Sequence, residues 1–119
     1  MKSYLFSVVF VLFSFIGLSQ EAAVSSSESL KSSVASGTII MILPDNVTAE
    51  SVQKYSKYYT SYFITSFDRE THEVTFNMVQ NDAKSRRVII RFLSANGVQF
   101  VKIGEGSIPL SNFYDAYLK

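Results

Sequence analysis

The chain has 119 residues, and its 11 basic and 10 acidic side chains leave a formal net charge of +1. That length fits one domain, and so balanced a charge supplies no field for a nucleic-acid backbone or an anionic membrane surface. No cysteine occurs, which excludes disulfides, thiolate metal sites and a lipid-modified N-terminal cysteine.

Lys2 precedes an uncharged run from Tyr4 to Leu18, and Gly17 and Ser19 are small residues at the −3 and −1 positions of a cut after Ser19. This pattern predicts a cleavable signal peptide over residues 1–19. About fifteen apolar residues fall short of the roughly 20 needed to span a bilayer. The expectation is a secreted or periplasmic protein with no stable membrane insertion after cleavage. Without Lys2 the acidic and basic residues number ten each.

Residues 20–37 hold seven serines between Ser25 and Ser36 and little to bury. They read as a flexible spacer, with a single domain over 38–119. Thr38 to Pro44, TIIMILP, is the longest apolar run after the N-terminal one and is apolar on both alternating faces, as in a central strand. Thr48 or Asn46 then caps a helix with Glu50 in its first turn. Val52, Tyr55, Tyr59 and Tyr62 form the buried stripe of that helix, which frays near Ser61. Tyr58 lies just off the stripe and is the candidate exposed aromatic.

Phe63–Phe67 and His72–Val79 predict a hairpin closed by the polar turn Asp68–Thr71. The second strand alternates His72, Val74, Phe76 and Met78 against Glu73, Thr75 and Asn77. Ala83–Ala95 follows a capping Asn81 or Asp82. Val88 to Leu93 also fits a strand leading into an Asn96-Gly97 hairpin turn. The helix is preferred because Ile89, Phe92 and Leu93 share one face and Lys84, Arg87 and Arg91 another, while Gly97 suits a left-handed helix end. Val98–Ile103 is a further strand. A tight turn from about residue 104 leads to a short return at Ser107–Leu110 and a last helical segment, Asn112–Leu118.

Strand, helix, strand, strand, helix, strand is the order of an α+β, ferredoxin-like βαββαβ fold, an antiparallel sheet with two helices on one face. A short C-terminal hairpin and helix extend it. In the strand TIIMIL, the Phe63–Val79 hairpin and Ile89-x3-Leu93 before Asn96-Gly97, the chain resembles the heavy-metal-associated domains of copper chaperones. The resemblance covers residues 38 to 103. It implies a metal loop where this chain has Thr48-Ala49-Glu50-Ser51 in place of CxxC, and hydroxyls do not replace thiolates for a soft ion. Neither a metal nor any other cofactor is therefore expected.

The one histidine, His72, sits among Asp68, Arg69, Glu70 and Glu73 at the hairpin end. It reads either as an acid–base residue beside carboxylates or as a solvated turn. Lys84, Arg86, Arg87 and Arg91 form the densest basic cluster and suit an acidic partner or an ordinary solvated helix face. Asn46-Val47-Thr48 is a glycosylation sequon. A ferredoxin-like sheet leaves one face uncovered, and Ile39 and Met41, with Leu43, are the residues placed there, a patch for a protein or peptide partner or for a homodimer. The function expected is an exported, non-enzymatic interaction module. The alternatives are a diverged metal-handling domain and a small oligomeric enzyme.

Overall fold

The computed structural model describes residues 20–119, so the signal-peptide expectation falls outside the described residues. Strand β1 (Glu21–Val24) is followed by helix α1 (Ser27–Ser36), strand β2 (Thr38–Ile42), helix α2 (Ala49–Ser56) and the hairpin β3 (Phe63–Phe67) and β4 (Glu73–Met78). Helix α3 (Ala83–Ala95), the hairpin β5 (Phe100–Ile103) and β6 (Gly106–Pro109), helix α4 (Leu110–Phe113) and a π-helical turn over Tyr114–Leu118 complete it. The strands form one six-stranded sheet in the order β3-β4-β2-β1-β5-β6, antiparallel except for the β1–β5 pair.

The α+β class stands, but the ferredoxin-like strand order does not. There β5 would pair directly with β2; here β1 lies between them, parallel to β5 and antiparallel to β2. The spacer reading of residues 20–37 falls with it. Ala22 and Val24 bury one side of β1, and the Gln20 carbonyl accepts hydrogen bonds from the amides of Gln99 and Phe100. In α1 the serines lie mainly on the outer surface, while Leu30 is 2 % exposed in the core. Ser26 caps the helix by accepting from the Ser29 amide at 3.1 Å, and Gly37 ends it at φ 82, its N–H donating to the Ser33 carbonyl. The Asn81 side chain donates to the Val34 carbonyl at 2.7 Å, a long-range cap for the last turn. Tertiary partners at both ends therefore order a segment whose composition alone would not.

The helix reading of Ala83–Ala95 matches the structure at both boundaries. Asp82 is its cap, accepting from the Ser85 amide at 2.7 Å, and Gly97 takes the left-handed conformation at φ 84. Hydrogen bonding from Ser85 favours the charged carboxylate and holds Asp82 below its ordinary pKa, with Arg86 and Lys84 adding in the same direction. The folded state then binds fewer protons than the unfolded chain as pH falls through the carboxylate range, so this stabilisation is present at neutral pH and lost in acid. Asp82→Asn keeps a side-chain acceptor but cannot titrate. Acid unfolding followed by circular dichroism should show a shallower pH dependence in that variant than in the wild type.

Helix α2 is shorter than its tyrosine stripe suggests. It stops at Ser56, whose hydroxyl bonds the Val52 carbonyl at 2.5 Å and lies 2.6 Å from Thr65 Oγ1 on β3. Tyr59 and Tyr62 pack on the core from the turns that follow. In the β3–β4 loop, Asp68 Oδ1 accepts from the amides of Glu70 and Thr71, and His72 closes the turn in the left-handed region at φ 61.

Among the described residues, every helix contributes to one core on one face of the sheet. Its centre is three mutually edge-on rings, with centroids 5.2 Å apart for Phe63–Phe76, 5.4 Å for Phe76–Phe92 and 6.0 Å for Phe63–Phe92.

Candidate interaction surface

The register of β2 against β4 decides which side of β2 is buried. Ile39 pairs with Phe76 and Met41 with Val74, and paired residues share a face of the sheet. Ile39, Met41 and Leu43 therefore enter the core and are fully buried, which corrects their placement on the uncovered face. The other side is open. Ile40 is 45 % and Ile42 48 % exposed, so β2 is central in the sheet but covered on one face only.

The same registers carry the open face across the sheet. Ile40 and Ile42 pair with Thr75 and Glu73 of β4, Asn77 pairs with Ile64 of β3, and Ala23 of β1 pairs with both Ile42 and Lys102. Phe100 sits beside Glu21 near one end of β5. Ile64, 51 % exposed, and Phe100, 40 % exposed, thus share this face with Ile40 and Ile42. One row crosses four strands as Glu73, Ile42, Ala23 and Lys102, with an acid at one end and a base at the other. Glu21 lies on the same face and accepts from the Ser107 hydroxyl at 2.5 Å.

β1 and β2 are paired at one position, Ala23 with Ile42. Beyond it a cleft of about 200 Å³ opens between the end of β1, the start of α1 and β2, lined among others by Ser25, Ser29, Ser33, Ile40, Ile42 and Glu73. Its lining combines apolar side chains with the hydroxyls of three serines and the carboxylate of Glu73.

The remaining sequence candidates do not converge on this face. Tyr58 is 72 % exposed, on the connection from α2 to β3, edge-on to Tyr59. Lys84, Arg87 and Arg91 are exposed on α3, which packs on the buried side of the sheet, and Arg87 lies over the Tyr114 ring at 5.6 Å. Arg86 has a structural task, donating to the Leu118 carbonyl at 2.6 Å and to Asn81 Oδ1 at 2.7 Å. His72 is half-buried against Phe67, and its Nδ1 is buried without a hydrogen-bond partner among the described residues. It borders a shallow cleft of about 230 Å³ at the start of α2. Of its lining residues, the Thr48 hydroxyl caps α2 by accepting from the Ser51 amide, and Glu50 pairs with Arg69 at 3.7 Å. Among the described residues no hydroxyl is hydrogen-bonded to His72. Among the described residues no three His, Cys, Asp or Glu side chains come together as a metal site.

Sequence reasoning missed Ile40, Ile42, Ile64, Phe100 and Lys102. The signal available was β4: its Val74/Phe76 side is unambiguously apolar, and pairing carries that choice to Ile39 and Met41. Compared with protein-family models, curated proteins and solved structures, the chain matches none.

Proposed function

We propose that this chain is a protein-interaction module rather than an enzyme, and that it self-associates through the open face of its sheet. The observation that carries the reading is the group of four large apolar side chains, Ile40, Ile42, Ile64 and Phe100, exposed on one side of a sheet whose other side is a packed core. Such patches on a folded domain mark contact surfaces. The row Glu73–Ile42–Ala23–Lys102 makes a second copy a fitting partner. A two-fold axis parallel to the strands, between Ile42 and Ala23, sets Glu73 of one copy opposite Lys102 of the other, twice. The charges are three strand spacings apart, about 14 Å, and that axis keeps the two sheets nearly aligned, as face-packed sheets prefer. Six strands of this length present a face of about 24 Å by about 15 Å, on the order of 700 Å² over two copies, which is the size of a weak, transient association. A site of action outside the cytoplasm is proposed on the N-terminal pattern alone.

Sedimentation velocity on the chain from Gln20 onward tests the reading. A dimer is expected, and Ile42→Asp, which sets a carboxylate at its centre, should give a monomer with an unchanged circular dichroism spectrum. Lys102→Glu should weaken the dimer, and Glu73→Lys in the same chain should restore it. A wild-type protein that remains monomeric at high micromolar concentration would overturn it.

A further inference from the structure

The two edges of the sheet are not equivalent. β6 is protected: the Leu110 N–H donates to the Gln99 carbonyl, and alternation along the antiparallel ladder from that bond turns the main chain of Ser107 and Pro109 outward. Pro109 has no N–H to offer, and the Ser107 side chain is held by Glu21. The β3 edge has no such device. Its sequence, Phe63-Ile64-Thr65-Ser66-Phe67, contains no charge, proline or glycine. Val79 N–H bonds the Tyr62 carbonyl and Asp68 N–H bonds the Glu73 carbonyl. The same alternation then commits Ile64 and Ser66 to β4 and turns the N–H and C=O of Thr65 and Phe67 outward. Among the described residues no strand pairs with that side.

A groove of about 440 Å³ lies along this edge, between β3 and α2, with Gln53, Ser56, Lys57, Thr60 and Ile64 among its lining. The contact between Ser56 and Thr65 at 2.6 Å fixes the separation of helix and strand. An added strand would hydrogen-bond to Thr65 and Phe67 while alternate side chains entered the groove. Lys57 is the one charged residue in the described lining, so the groove favours a carboxylate. A second copy pairing here would have to bring its own α2 to the same place, whereas a peptide strand brings no helix. From these features we infer that the β3 edge and the α2–β3 groove form a binding site for an extended acidic peptide, which joins the sheet as a seventh strand. The site uses main-chain groups of β3 and meets the open face at Ile64.

The test is an NMR titration of the chain from Gln20 onward with a short capped peptide of alternating valine and glutamate, and with its lysine-for-glutamate counterpart. The acidic peptide should shift the amides of Thr65 and Phe67 and slow their hydrogen exchange, and the basic one should bind more weakly. Thr65→Pro removes an outward N–H without breaking the β4 ladder and should weaken binding about tenfold, the loss of one such bond in a partly buried setting. Thr65→Ser, which keeps both the N–H and the hydroxyl facing Ser56, should restore most of the binding that Thr65→Pro loses. Lys57→Glu, away from the strand, should weaken the acidic peptide about threefold and narrow its preference over the basic one. Shifts confined to Ile40 and Ile42, no shift at all, or equal binding by the wild type and Lys57→Glu would overturn the inference.

Discussion

Phe92→Ala is expected to destabilise the fold by about 3–5 kcal/mol, the usual loss for emptying a fully buried aromatic site. Phe92 is fully buried and meets Phe63, Phe76 and Tyr59 edge-on, so it links α3 to both strands of the β3–β4 hairpin and to the turn after α2. Rigid neighbouring rings collapse poorly into the space, which favours the upper part of that range. The loss is a large fraction of the stability of a domain this small, so urea unfolding should show a midpoint shifted far toward zero denaturant. Phe100→Ala, on the open face, provides the comparison and should change stability by under about 1 kcal/mol. Similar costs for the two variants would mean that the packed centre lies elsewhere.

Leu30→Ala should cost about 2–4 kcal/mol, although it lies in a stretch of serines that reads as unstructured. Leu30 is the buried anchor of α1, and Val34 one turn later packs partly on the same core. Lys31→Ala, at the exposed neighbouring position, should be close to neutral. Measured by the same urea titration, equal and negligible effects would restore the spacer interpretation of residues 20–37.

Local signals were enough for some elements and not for others. The α3 boundaries were legible because a capping acid, an apolar stripe and a glycine past the end agree over thirteen residues. The β3–β4 hairpin was legible because Val74 and Phe76 alternate with polar residues. β1 was not, since four residues are too few for a period, and its ordering comes from β5 at the far end of the chain. That one missing strand also hid the true sheet order. In β2 both faces are isoleucine, methionine or leucine, so periodicity carries no phase; the phase comes from the β4 register. The open face itself is assembled from residues on separate strands, and no sequence window contains it.

The single registered pair between β1 and β2 has a kinetic consequence. It makes the sheet two three-stranded halves, β3-β4-β2 and β1-β5-β6, joined along a short seam. The first half closes through contacts close in sequence, while the second needs Glu21–Val24 to find Phe100–Ile103 across most of the described chain. Pairings of that span form late and carry a large loop-closure entropy. The two halves should therefore behave as separate cooperative units in native-state hydrogen exchange, with the β1–β5 amides opening at a lower free energy than those of β2 and β4.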